Sequence, residues 1–246
     1  MHEFPFKDLD KEGLDTLLAI SEADAFNKWM YHTVAPFLKG NILEIGSGIG
    51  NISRYFIHDG KTITLSDIRE NYLNYLKQHY SHSSFVDEIV AIDLVKEDFQ
   101  NHYSALTTKF DSLFALNVIE HIKKDTTALQ NAASLLRPGG KMVILVPANP
   151  LLYNGIDREL HHYRRYSRKA LIQKIDEAGM TVEKSFYFNA LGIAGWMVSG
   201  SIFKQHIISK SQMSVFNKLL PVAKFLDMIF RRVTGLSVVV TAVKNS

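Results

Sequence analysis

Asn41-Ile42-Leu43-Glu44-Ile45-Gly46-Ser47-Gly48-Ile49-Gly50-Asn51-Ile52-Ser53-Arg54-Tyr55-Phe56 is a short apolar run that breaks into three alternating glycines and then into a segment able to open a helix. Buried strand, tight turn and helix in that order begin a βα unit. Glycine is needed in such a turn wherever the backbone turns tightly or a ligand lies against it, because a Cβ would block the approach. A dinucleotide fingerprint G-x-G-x-x-G would place its third glycine at position 51, which is Asn51, so the spacing disfavours a nicotinamide dinucleotide.

Outward from this stretch the same alternation continues. Residues 23–38 read as a helix stopped near Lys39-Gly40, and the runs 41–45, 62–65, 89–92, 112–116 and 142–146 read as strands separated by segments able to form helices. A helix over 168–178, a strand over 181–188 and a last strand over 237–242 follow. Seven strands with helical crossovers predict an α/β fold, a doubly wound and mostly parallel sheet within one domain spanning 1–246. A helical cap, 1–40, precedes the first strand, and a helical insertion, 189–235, precedes the last; Pro221 starts or interrupts one of its helices.

Composition narrows the function. With 246 residues, 46% of them hydrophobic, the chain can bury one substantial core. A net charge of +3 is too small and dispersed for a nucleic-acid partner. The absence of cysteine removes disulfides, thiolate nucleophiles and thiolate metal sites. Asp111, Asp125 and the histidines show no recognisable ligand spacing, so no metal is expected. The first residues have no basic region followed by an apolar core, which makes a cytoplasmic location the expectation. The uncharged stretch from Phe186 to Phe203 approaches the length of a membrane span, but Asn189, Ser199 and Ser201 weaken it.

Two acids give the glycine turn a chemical context. Asp67 ends the second strand about 20 residues past the glycines, where a carboxylate can accept from both hydroxyls of a ribose. Asp93 follows the third strand at the same carboxyl edge, where α/β sheets bind ligands. Either acid alone would be an ordinary helix N-cap. Together with the turn they outline a nucleoside site.

Glu44 to Gly50 resembles the E-x-G-x-G-x-G first motif of class I S-adenosylmethionine (SAM)-dependent methyltransferases. Residues 110–121, Phe-Asp-Ser-Leu-Phe-Ala-Leu-Asn-Val-Ile-Glu-His, resemble that family's fourth-strand motif, and Leu136-Arg137-Pro138-Gly139-Gly140-Lys141 resembles the loop before its fifth strand. The resemblance runs in order over residues 23–188 and implies a Rossmann-like methyltransferase fold with SAM as cofactor. It implies that Gly46, Gly48 and Gly50 border the methionine and ribose, with Glu44 holding the loop or reaching the amino group. It likewise implies that Asp67 binds the ribose hydroxyls, Asp93 meets the adenine amino group, Leu94 donates its N–H or packs on the ring, and Asn117 offers its carbonyl. His121 either caps a helix, fills the pocket wall or takes part in catalysis.

After the fifth strand come Tyr153, Asp157 and His161-His162-Tyr163-Arg164-Arg165-Tyr166-Ser167, similar to a methyltransferase subgroup with a His-Tyr-Arg-Arg-Tyr-Ser signature. The resemblance puts this segment beside the transferable methyl. Tyr153, Tyr163 and Arg164 are the expected acceptor contacts, and His161 the expected base, because imidazole titrates near neutral pH, with Asp157 able to orient it. Arg165 and Ser167 read equally well as acceptor contacts and as a solvated basic turn in which Ser167 caps the following helix.

Residues 189–235 carry Trp196, Met197, Phe203, Met213, Phe216, Phe225, Met228 and Phe230 with Lys218, Lys224, Arg231 and Arg232. They read as an apolar lid over the acceptor, as a peripheral membrane contact or as a homodimer face. The expected activity is methyl transfer from SAM to a small-molecule or lipid-linked acceptor, at oxygen first, with nitrogen or carbon as alternatives. A non-catalytic SAM-binding partner subunit is the reading from another class.

Overall fold

The computed structural model describes residues 21, 23–202 and 210–245, with side chains described outside 200–212. Helix α1, Asp24–Val34, leads through a 3-10 turn, Ala35–Phe37, into β1, Ile42–Ile45. The expected helix over 23–38 therefore ends early. Pro36 has no N–H to donate, so the α-helical bonding stops and the chain tightens into the 3-10 turn. Then follow α2 (Ser53–His58), β2 (Ile63–Asp67), α3 (Glu70–Tyr80), β3 (Val86–Ala91), α4 (Phe99–His102) and β4 (Phe110–Leu116). The chain continues through α5 (Asp125–Leu135), β5 (Leu136–Pro147), α6 (Gly155–Glu159), α7 (Arg168–Glu177), β6 (Met180–Phe188), α8 (Ala190–Trp196), α9 (Lys210–Phe230) and β7 (Ser237–Lys244).

The seven strands form one sheet in the order β3-β2-β1-β4-β5-β7-β6. Strands β1 to β5 pair in parallel, while β7 lies antiparallel between β5 and β6. Side chains alternate between the two faces. Leu43, Ile45, Leu113, Ala115, Met142 and Ile144 pack with α5 and α7, whereas Ile42, Phe114, Val143 and Leu145 pack with α1, α2 and α9. The Pro138-Gly139-Gly140 segment, expected as a loop, is an irregular first part of β5. Its register against β4 jumps between Phe110↔Leu136 and Ser112↔Lys141, as a bulge requires.

The sheet order reverses at β1, with β2 on one side and β4 on the other, which is where open α/β sheets bind ligands. Pairing of Pro147 and Phe188 with Ser237 brings both ends of the 189–236 excursion to this same carboxyl edge. Its first part forms α8 and a π-helical turn, Met197–Ile202, and its second is α9, with Pro221 inside the helix. Phe203 and residues 1–20 of the expected cap lie outside the described residues. Among the described residues no helix is long and apolar enough to cross a membrane, and the stretch from Phe186 is divided between β6 and α8.

Candidate active site

β1 delivers its chain directly into the glycine turn. A Cβ on Gly46 (φ +72°) would stand 2.5 Å from Val118 Cγ2, and one on Gly50 (φ +82°) would stand 2.6 Å from the Tyr80 ring. The neighbours of the protein itself thus demand these glycines, before any ligand does. Gly48 donates its N–H to Asp67 Oδ2 at 2.9 Å, and Arg69 donates its N–H to Oδ1 at 3.0 Å. Asp67 is 8% exposed and its carboxylate is locked onto the turn. Burial raises its pKa, and the backbone donors partly offset that.

Ser66 and Ser47 bind the second strand to the same turn: Ser47 N–H donates to Ser66 O at 2.8 Å and Ser66 N–H to Ser47 Oγ at 3.1 Å. Glu44 lies buried beneath, accepting from the Ser53 hydroxyl. Burial pushes its carboxyl up to about 7, against the lowering effect of the Ser53 and Ser47 hydrogen bonds.

Asp93 follows β3 and accepts from the Val95 N–H at 2.9 Å, while its own N–H donates to Tyr103 Oη at 2.9 Å. The Leu94 side chain belongs to the core, and its carbonyl accepts from Asn131 at 2.8 Å. Asn117 is exposed at the end of β4 in the left-handed region, φ +55°, with its N–H donating to Leu145 O at 2.8 Å. The sheet therefore brings Glu44, the three glycines, Asp67, Asp93, Leu94 and Asn117 to one edge.

Beyond β5 the chain makes a 3-10 turn, Pro150–Leu152, and enters α6 through a capping box. Asn154 Oδ1 accepts from Ile156 N–H, and Asp157 Oδ2 accepts from Asn154 N–H at 3.0 Å. The other ties of Asp157 correct the expected base arrangement. Its partner is His162, whose Nδ1 lies 2.8 Å from Oδ1, and not His161. A carboxylate only accepts, so the proton of that bond sits on Nδ1 and Nε2 remains open. Arg165 Nε donates to both Asp157 oxygens at 2.9 and 3.0 Å and its NH1 to Ala148 O at 3.1 Å. Burial opposes ionisation of Asp157, but the His162 hydrogen bond and Arg165 outweigh it and hold the carboxyl below its ordinary range.

Other residues of this segment also differ from expectation. His161 is exposed on a left-handed turn, φ +58°. Arg165 is buried under the Trp196 ring, 4.4 Å from its centroid, and is no part of a solvated turn. Arg164, expected at the acceptor, instead pairs with Asp125 and donates to Lys123 O at 3.0 Å; Asp125 also receives Tyr166 and Lys174, both at 2.8 Å. Tyr153 Oη donates to His162 O at 2.8 Å, and Tyr163 stands half-exposed. Ser167 caps α7, accepting from Ala170 N–H at 3.1 Å.

Sequence reasoning missed Glu120. It follows β4, is fully buried, and neither carboxylate oxygen has a hydrogen-bond partner among the described residues. Burial pushes it up to about 8, although its own backbone and Arg165 work against the shift. Beside it the His121 and His162 rings meet edge to face at 4.7 Å. Ligand atoms of Glu120, His121 and His162 lie within 4.8 Å of one another, which revises the expectation that no metal-ligating group assembles. Spacing rules see only ligands close in sequence, and His162 arrives from beyond β5. The Glu120-His121 dipeptide was the visible half of the signal.

Residues 43–144 match a family model described as methyltransferase domain. Ubiquinone biosynthesis O-methyltransferase of Haemophilus ducreyi is 24% identical over 173 residues, covering 63% of this chain and 72% of that one. The hybrid PKS-NRPS synthetase iccA of Talaromyces variabilis is 28% identical over 118 residues, covering 46% of this chain; the matched part is only 3% of the synthetase. A SAM-dependent methyltransferase from Archaeoglobus fulgidus superposes with a TM-score of 0.58 at 16% identity, over 89% of this chain and 94% of that one. The matched segment is similar to a methyltransferase domain, and the sheet around it has the fold of class I SAM-dependent methyltransferases. The solved neighbours include SAM-dependent methyltransferases, one of them in complex with S-adenosyl-L-methionine. The residues present here suit such a cofactor: a glycine turn closed by a buried acid, at the switch point of the sheet.

Proposed function

We propose that the chain, taken as one domain over 1–246, is a methyltransferase that moves the methyl of SAM to an oxygen of a small-molecule or lipid-linked acceptor. The observation that carries this reading is the lock between Gly48 and Asp67, which holds a ribose-accepting carboxylate against the glycine turn. Glu44, Gly46, Gly48, Gly50, Asp67, Asp93, Leu94 and Asn117 form the cofactor side. The sulfonium supplies its own activation when SAM is bound. The chain's residues then align the acceptor and accept its proton.

The acceptor side is the 153–166 segment. Arg158, His161 and Tyr163 are its solvent-facing members, and His161, the imidazole among them, is the proposed proton acceptor. The similarity to ubiquinone O-methyltransferases favours oxygen. A lipid-linked acceptor is favoured by α9, whose outer row Val215, Leu219, Val222, Phe225, Met228 and Ile229 is exposed, Phe225 by 60% and Met228 by 76%, with Arg231 and Arg232 exposed at its end. Phe225 thus faces outward, whereas Trp196 faces inward and donates to Leu152 O at 3.2 Å. An apolar row ending in cations suits peripheral contact with an anionic membrane.

Calorimetry with SAM and with its demethylated product, followed by a labelled-methyl screen of polar and prenylated hydroxy acceptors, tests the proposal. Binding of both nucleosides and transfer to a hydroxyl are expected. His161→Ala should lower turnover by about 10²–10⁴-fold at unchanged SAM affinity. A folded protein that binds neither nucleoside would end this reading, and one that binds both without transferring to any acceptor class would favour a non-catalytic SAM-binding subunit.

A further inference from the structure

Three donors of metal-ligating type converge behind the acceptor segment, and their surroundings are those of ligands. Glu120 is fully buried with both carboxylate oxygens lacking a hydrogen-bond partner among the described residues. Burial leaves this carboxyl without a partner for its charged form, and a bound cation would supply one. His162 has its Nδ1 committed to Asp157, which leaves Nε2 as the ring nitrogen for a ligand. His121 hydrogen-bonds the Leu160 backbone, which fixes its ring as well. Metal-bound histidines characteristically carry such an outer carboxylate or carbonyl on the second nitrogen. Asp157 in turn is held by the α6 capping box and by Arg165, whose charge it neutralises.

We propose that Glu120, His121 and His162 bind a divalent first-row transition ion, with Asp157 as the carboxylate that orients His162. Two imidazoles and one carboxylate suit Zn²⁺, Fe²⁺, Mn²⁺ or Co²⁺ and disfavour Mg²⁺ and Ca²⁺, which prefer all-oxygen sets. Three protein ligands leave positions for an exogenous oxygen. The use of the ion, unlike the site, rests on the methyl-transfer reading. An acceptor hydroxyl bound to it would lose its proton to His161 or water; the oxygen lone pair would then form the O–CH₃ bond as the S–CH₃ bond breaks, leaving a neutral thioether.

The full chain, stripped with a chelator, is titrated with Co²⁺ and with Zn²⁺ in the absence of SAM and acceptor. The expected result is stoichiometric binding with visible Co²⁺ absorption and a saturable rise in Tm, undisturbed by excess Mg²⁺. Glu120→Gln keeps the shape and removes only the carboxylate ligand, so it should fold, and it should weaken Co²⁺ binding at least about tenfold; His162→Gln should do the same. Near-UV circular dichroism of each variant checks folding. Absence of Co²⁺ absorption and of any Tm response in the wild-type chain would overturn the proposal. So would equal Co²⁺ affinity in wild type and in folded Glu120→Gln, or displacement of Co²⁺ by Mg²⁺. Because no nucleoside or acceptor enters the assay, its failure is distinct from a failure of the methyltransferase reading.

Discussion

The two halves of the candidate site are built by different means. On the cofactor half, main-chain groups do most of the holding: Asp67 takes the N–H groups of Gly48 and Arg69, and the serines of β1 and β2 bond each other's backbone. On the acceptor half, charged side chains hold one another inside the protein, with Asp157 gathering His162 and Arg165 while Glu120 beside them stays unpartnered. Backbone groups are present in every sequence, so the first half depends on strand order and a few glycines. The second depends on particular side chains meeting from distant parts of the chain. Substitutions should therefore damage the fold more on the acceptor half and binding more on the cofactor half.

The largest effect should come from Asp157→Ala. It leaves Arg165 buried without a counter-charge, and removing one partner of a buried pair costs about 3–5 kcal/mol. Urea denaturation reads this directly, and pairing the change with Arg165→Met should recover part of the loss. A cost near that of a surface substitution would break the contrast.

A second test examines the one strongly shifted acid on the cofactor half. Glu44 is buried and raised to about 7, so the folded chain keeps this proton after the unfolded chain has released it. Stability of the SAM-free protein should accordingly fall as pH rises from the ordinary carboxylate range through about 7. Glu44→Gln should remove that slope, worth about 1.4 kcal/mol for each pH unit crossed. Parallel stability curves for the two proteins between pH 5 and 7 would contradict it.

Third, Asp67→Ala should weaken SAM binding by about 1.5–3 kcal/mol through loss of charge-assisted bonds to the ribose. Calorimetry on the folded variant would show unchanged affinity if the ribose lies elsewhere.

The smallest effect concerns α9. Co-sedimentation with acidic vesicles should fall when Arg231 and Arg232 become Gln, each contributing about 1 kcal/mol near an anionic surface. It should disappear in Phe225→Asp. Concentration-dependent dimerisation without vesicle binding would make the apolar row a face between copies.

The same contrast explains what could be read in advance. The succession of strands, the glycine turn and the place of Asp67 at a strand end were legible because apolar runs and turn residues are local signals that recur with the period of the structure. His162 and Arg165 were not, because adjacent residues such as His161 and His162 differ only in which way a left-handed turn at His161 aims them. Arg164 and Arg165 likewise diverge, one to Asp125 and one to Asp157. Glu120 resisted reading for a further reason: a buried acid without a partner contradicts the usual preference of Glu for the surface.

The place of β7 has a consequence for how the molecule is made. Among the described residues β6 finds its only sheet neighbour in β7, and β5 has β7 along its outer edge, yet β7 follows the other strands in sequence. During synthesis both edges must wait, exposed, until residues 237–244 have left the ribosome. A strand edge without its neighbour invites pairing with other chains. A nascent chain stalled just before Ser237 would thus be a sticky intermediate, and chaperone demand should peak at that length.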